Sequence, residues 1–350
     1  MKIVFLSWRN LAHSQAGGAE MVVDRLAEGL SKKGHVIISL SGGPKTQTEY
    51  ESISLGGTYA QYALAPIQFH RYAGDADVVV DTENGIPYFS PLWQRKPVVG
   101  LVHHLHSSQW AMRYPFPLSS IGKWTESWLM PRVYRNSHFV AVSDSTAQSL
   151  VSIGIDARAI TTVEMGATLI EVTKEKSTTP RFIILSRLVP HKNIEKAISI
   201  WEQVRDRTGG ELIIVGSGPE EKSLKALAGK DVHFYGWIDE LEKFRQLGSA
   251  WLLIHPAHHE GWGTVIMEAA LAEVPTVAYD VKGVRDSVVD GTTGVLAKND
   301  EGFISAWIEL AENKNLRERL GRNALERART FTWEKSVDSF ESVLSESINK

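Results

Sequence analysis

The stretch HPAHHEGWGTVIMEAALAEVPTVAYD, residues 255–280, sets two carboxylates, Glu260 and Glu268, around a Gly261-Trp262-Gly263 turn. His259-Glu260 opens the zinc-hydrolase pattern, but that pattern needs a second histidine one helical turn later. This chain has Gly263 there, so the metal reading fails. The glycines interrupt any continuous helix across the stretch. With a helix beginning near Thr264, Glu260 lies in the loop before it and Glu268 one turn inside it. The pair then reaches two parts of one elongated ligand; the bland alternative is a helix-start charge plus a buried structural glutamate.

Other residues suit the same kind of ligand. The run ILSRLVPHKN places Arg187 just after an apolar run and Lys192 five residues on, at a helix start, where a guanidinium and an ammonium would neutralise a diphosphate. Glycine turns open helices at Gly17-Gly18, at Gly216-Ser217-Gly218 and at Gly261-Trp262-Gly263. Free amides at helix N-termini favour anions. One such turn is usually tight packing, whereas three together point to a phosphate-bearing ligand.

The elements that must position these residues alternate. Apolar runs KIVFLS, GHVIISL, DVVVD, PVVGLVHH and HFVAVS read as strands between amphipathic helices, the first spanning 18–33. After the polar stretch EVTKEKSTTPR, residues 171–181, read as a linker, the alternation restarts. RFIILS, ELIIV, VHFYGW, AWLLIH, PTVAYD and TGVLA follow, with helices from Asn193, Glu220, near 239–248 and from Thr264, and a helical tail from Glu301. Runs nearly continuous in apolar residues suit parallel sheets covered on both faces. The expectation is α/β: two doubly wound Rossmann-like domains in succession, with ligands beyond the carboxyl ends of the strands.

Composition excludes several classes. The 350 residues contain no cysteine, ruling out disulfides and thiolate chemistry and favouring the cytosol. A formal net charge of −3 argues against nucleic acid as a partner. The first residues do not read as a signal peptide, and no segment approaches the length of a membrane-spanning helix. That counts against a two-domain binding protein of the periplasmic type. No Gly-X-Gly-X-X-Gly follows the first strand, which counts against a nicotinamide dehydrogenase. Asp75-Ala76-Asp77 precedes a strand, on the side away from ligands. His103, His104 and His106 have no evident carboxylate partner and are set aside as metal ligands. The segment SSIGKWTESWLMPRVYRN, residues 119–136, reads by default as a half-buried helix with basic ends; the competing reading is a peripheral membrane contact or lipid-acceptor helix.

In order and spacing, SRLVPHKN, VGSGP, YGWI, HPAHHEGWGTVIMEAALAEVPTVA and KGVRDSVVDGTTG resemble the second domain of retaining glycosyltransferases of family 4. GGAE, PVVGLVHH, VAVSDST and FTWEKSVDSF resemble that family's other landmarks. The resemblance implies a GT-B fold, two Rossmann-like domains facing across a cleft. An acceptor-side domain would span 1–172, a nucleotide-sugar domain 173–332, and a final helix within 333–350 would cross back to the first. It implies a nucleotide-diphosphate-sugar donor such as a UDP- or GDP-sugar, and a glycan, lipid-linked or small-molecule acceptor. The transfer would proceed with retention, without metal or separate cofactor, in the cytoplasm or at the inner face of the membrane. A GT-B phosphorylase or nucleotide-sugar epimerase is the alternative that shares the donor half.

Position by position, Arg187 and Lys192 would hold the donor diphosphate and Glu268 the ribose hydroxyls. Gly263, Thr264 and Val265 would turn amides to the phosphates, flanked by Gly216 and Gly261. Glu260 would contact the donor sugar, Tyr235-Gly236-Trp237 the base, and His103 the sugar from the first domain. Gly17 and Gly18 would line the cleft near diphosphate or acceptor. Three positions depart from the family's habit: His104, Met165 and Asp286.

Overall fold

The structure, a computed structural model, describes the chain apart from Thr58, Asn84, Ser108, residues 169–174 and Lys350, and leaves out the side chain of Arg113. It forms two compact units, one of Met1–Gly166 with Trp333–Lys350 and one of Ala167–Thr332. The expected boundary at 172–173 lies outside the described residues. So does the first part of the expected linker, and its last residue, Arg181, instead opens a strand.

In the first unit, seven parallel strands are β1 (Lys2–Ser7), β2 (Val36–Ser41), β3 (Glu51–Ser54), β4 (Val78–Glu83), β5 (Val98–Val102), β6 (His138–Ala141) and β7 (Ile160–Thr162). Their order is β3-β2-β1-β4-β5-β6-β7. β1 is the hinge of this order: Val4 lies opposite Ile38 of β2 on one side and Val79 of β4 on the other. Val78, Val79 and Val80 are wholly buried, as continuous apolar strands require when helices cover both faces. One cover is the helix Trp333–Ile348, whose Phe340 ring lies 6.2 Å from that of Phe5. Its Val337 fits against Gly29, the position where a side chain would collide.

The second unit repeats the plan with β8 (Arg181–Leu185), β9 (Glu211–Val215), β10 (Val232–Gly236), β11 (Leu252–His255), β12 (Thr276–Tyr279) and β13 (Gly294–Ala297). All are parallel, in the order β10-β9-β8-β11-β12-β13. Its core is aromatic: Trp201 and Trp307 stack at 5.7 Å, and Phe182 meets both edge-on.

Both sheets are doubly wound, and in each the order reverses between two neighbours: β1 and β4, then β8 and β11. That reversal opens a crevice beyond the carboxyl ends of the two strands. Strands β3 and β7 escaped the sequence reading, because ESIS and ITT are short and only partly buried and so show no apolar run. The helix expected from Asn193 begins at Ile194, since Asn193 adopts φ 55° as its cap. Among the described residues, no helix is long and apolar enough to cross a membrane.

Candidate active site

At the reversal point of the second unit, the loops after β8 and β11 meet. Arg187 stands half-buried two residues past β8, and Lys192 ends the short turn Pro190–Lys192. From the other loop comes Glu260. Lys192 Nζ sits 2.5 Å from Glu260 Oε2, with both side chains largely buried, and His255 Nε2 lies 3.3 Å from the same oxygen. Burial alone would raise the pKa of Glu260; the Lys192 ammonium and the His255 ring outweigh it and hold the carboxyl well below its ordinary range. Glu260 is therefore a fixed anion and an acceptor of hydrogen bonds. The sequence reading gave Lys192 and Glu260 separate partners, whereas the fold pairs them.

Two glycines set this loop. Gly263 caps the helix Thr264–Leu271 at φ 76°, a left-handed conformation that ordinary side chains resist. The amides of Thr264 and Val265 then belong to a first turn with no earlier helical carbonyl to receive them. Gly283, at φ 79°, lets the chain pass so close that a Cβ there would stand 2.3 Å from the Glu260 carbonyl oxygen. Gly261 is buried beside it, and Trp262 anchors the turn against Phe331, with ring centroids 5.1 Å apart.

Glu268 is one turn inside that helix and 5% exposed. Lys243 Nζ donates to its Oε1 at 2.8 Å and also to both oxygens of Glu240, at 2.7 and 2.8 Å. Burial raises the pKa of Glu268 against the pull of Lys243. Among the described residues its second oxygen, Oε2, has no partner. Lys243, His255 and Gly283 were missed as site residues. Only Lys243 carried a local signal, its three-residue spacing from Glu240, and that spacing is common on helix surfaces.

On the opposite flank, the amide of Gly216, after β9, donates to the carbonyl of Gly236 at 2.8 Å, tying the ends of β9 and β10 together. Tyr235 and Trp237 flank Gly236 with exposed rings, and Trp237 is 78% exposed. The Tyr235 hydroxyl receives a bond from Arg181 at 3.3 Å.

In the first unit, Gly17 caps the helix Gly18–Lys32, but its amide is taken by Glu20 Oε2 at 2.8 Å. Glu20 is in turn held by Arg9 at 3.0 Å, with both side chains buried. The anion expected at that helix start is thus supplied in part by the chain itself. Arg9 and Glu20 help line a cavity of about 620 Å³ with Asn10, Asp24 and Tyr50. His103 follows β5 with its ring buried, and burial with the neighbouring His106 lowers its pKa to about 4. It is a neutral imidazole whose Nε2 has no hydrogen-bond partner among the described residues. The histidine run does have carboxylates nearby: Glu126 lies 3.6 Å from His106, and Glu83 adjoins both. Neither was visible in sequence, because they arrive from β4 and from a helical segment twenty residues on.

Comparison with known proteins matches residues 16–169 to Glycosyltransferase Family 4 and residues 167–327 to Glycosyl transferases group 1. An uncharacterized glycosyltransferase of Methanocaldococcus jannaschii is 34% identical over 111 residues, 31% of this chain and 31% of that protein. The chain thus aligns with about a third of the length of that relative. Two solved structures superpose along nearly the whole chain. Sucrose-phosphate synthase from Thermosynechococcus elongatus does so with a TM-score of 0.83 and 17% identity, covering 99% of each chain. Anabaena HepE, solved in complex with UDP-glucose, does so with 0.79 and 16%, covering 99% of this chain and 100% of its own. With one matched family in each doubly wound sheet and the same two-sheet fold in both structures, the chain belongs to the glycosyltransferases of GT-B fold.

Proposed function

We propose that this chain moves a sugar from a nucleoside-diphosphate donor to an acceptor, with retention at the anomeric carbon. The observation that carries the proposal is the Lys192–Glu260 pair set before the helix start at Gly263 and Thr264. Breaking the bond between the sugar and the diphosphate leaves negative charge on phosphate oxygens and positive charge on the sugar ring. Arg187, Lys192 and the amides of Gly263, Thr264 and Val265 meet the first without reorganising. Glu260, kept ionised, accepts hydrogen bonds from the donor sugar's hydroxyls. Lys243 fixes one oxygen of Glu268 and leaves Oε2 for the ribose. Tyr235-Gly236-Trp237 bears on the base, and the turns at Gly216 and Gly261 shape the floor.

The first unit serves the acceptor and the sugar. His103 offers a neutral imidazole nitrogen to a sugar hydroxyl, and Gly17, Gly18 and the Arg9–Glu20 cavity bear on a glycan, lipid-linked or small-molecule acceptor. The UDP-glucose complex of the Anabaena protein supports a uridine donor, with a GDP-sugar as the other candidate. Exposed Phe116, Leu118, Ile121, Trp124 and Trp128, beside Lys123 and Arg132, support docking on the inner face of the cytoplasmic membrane when the acceptor is lipid-linked.

The test is a thermal-shift panel of UDP, GDP, ADP and dTDP, followed by transfer from the matching sugar and nuclear magnetic resonance of the product's anomeric centre. A bound nucleotide at 100 times its Kd stabilises by about 2.7 kcal/mol. No shift with any of the four overturns the donor assignment, and an inverted product overturns retention.

A further inference from the structure

We propose that Glu83, His106 and Glu126 form a binding site for one divalent transition-metal ion, Zn²⁺ or Mn²⁺, inside the first unit. One donor atom from each of the three lies within 4.8 Å of those of the other two, close enough to share an ion. Glu83 ends β4 and is 2% exposed; Glu126 sits in a wide helical turn, Thr125–Leu129, and is wholly buried. His106 lies on the segment after β5 and is half-buried.

Each carboxylate is aimed by the backbone. The Gly85 amide donates to Glu83 Oε1 at 3.0 Å, and the His106 amide donates to Glu126 Oε1. Among the described residues, Oε2 of both glutamates is then buried with no hydrogen-bond partner in reach, although the Trp110 ring and the Ser107 amide stand near enough to Glu126 to favour its charged form. When ionised, two carboxylates buried side by side repel, and each open oxygen forfeits its hydration. An ion of charge +2 cancels both charges and occupies both open oxygens.

The donor set selects the ion. Two carboxylate oxygens and one imidazole nitrogen suit Zn²⁺ or Mn²⁺, with water completing the shell, whereas Mg²⁺ prefers oxygen alone. This ion would tie the end of β4, the His103–His106 segment and the helical segment around Glu126 into one piece. Its role is to hold His103 in place.

The experiment uses the full chain, stripped with EDTA and dialysed at pH 7.5 against Zn²⁺, Mn²⁺ or Mg²⁺. Metal is counted by mass spectrometry and Tm followed by calorimetry. The expected result is one Zn²⁺ or Mn²⁺ per chain with a raised Tm. Glu83→Gln and Glu126→Gln should each weaken binding by about 100-fold or more, beyond the loss typical of outer-shell partners, with circular dichroism unchanged. Where a glutamate variant fails to fold, His106→Gln at the half-buried edge takes its place. No stoichiometric ion, an ion retained by the folded variants, or Mg²⁺ held as tightly as Zn²⁺ and Mn²⁺ would each overturn the site.

Discussion

Replacing Glu268 by glutamine separates its two roles. In the folded protein its Oε1 faces Lys243 at 2.8 Å, and Lys243 keeps Glu240 at 2.7 and 2.8 Å whatever happens at position 268. The ammonium is therefore never orphaned, and the folding cost should be about 1–2 kcal/mol, that of an ordinary hydrogen-bond change. Lys243→Met is the harsher change, because it strands a carboxylate that is 5% exposed. Breaking a buried pair in that way costs about 3–5 kcal/mol. Nucleotide binding should respond in a different proportion. Hydrogen bonds to a charged partner contribute about 1.5–3 kcal/mol, so Glu268→Gln should raise the nucleotide Kd roughly 10- to 150-fold. Urea melts supply the first quantity and calorimetric titration of the preferred nucleotide the second. A folded Glu268→Gln protein with wild-type nucleotide affinity would refute the ribose role. A Lys243→Met protein more stable than Glu268→Gln would refute the electrostatic accounting.

Three further outcomes are expected. His103→Ala should leave nucleotide Kd within about twofold and lower turnover on the order of 100-fold, the loss typical of one preorganised polar group; steady-state kinetics beside titration checks it, and a large loss of affinity would move the donor into the first unit. A polypeptide of residues 167–332 has its own core and should fold and bind nucleotide without transferring sugar, and EDTA should leave that affinity unchanged; a metal-dependent Kd would count against neutralisation by Arg187 and Lys192. Burial pushes Glu126 up to about 7 from an ordinary 4.5, so its contribution is fully present below about pH 4.5 and is lost as pH rises through 7, on the order of 3 kcal/mol at 1.36 kcal/mol per unit; in metal-stripped protein Glu126→Gln should flatten the fall of Tm between pH 5 and 8, and an unchanged slope would contradict it.

Much of the frame could be read from the residues because β1, β8 and β11 are nearly continuous apolar runs and β4 opens on Val78, Val79 and Val80, a pattern that few structures other than a covered parallel strand accommodate. Glu260 and Glu268 stood out because a Gly-X-Gly turn follows the first and an apolar helix surrounds the second. What sequence did not reveal was pairing. Lys192 meets Glu260 across 68 residues, Lys243 meets Glu268 across 25, and Glu126 meets His106 across 20. Those separations are set by strand order, and no local pattern encodes it. The strands ESIS and ITT were illegible for another reason: they lie toward the sheet's edges and need little apolar surface.

The helix Trp333–Ile348 has a consequence for how the protein is made. It is synthesised after the whole of residues 167–332, yet it lies on β1 and on the helix Gly18–Lys32, where Lys33 reaches Asp338 and Glu341. A ribosome therefore releases the complete second unit while the first still shows water an uncovered face around Phe5 and Gly29. Segments made hundreds of residues apart must find each other last. A premature stop near 330 would spare the second unit and leave the earlier-made unit unfinished, an apolar surface on which chaperones and proteases act.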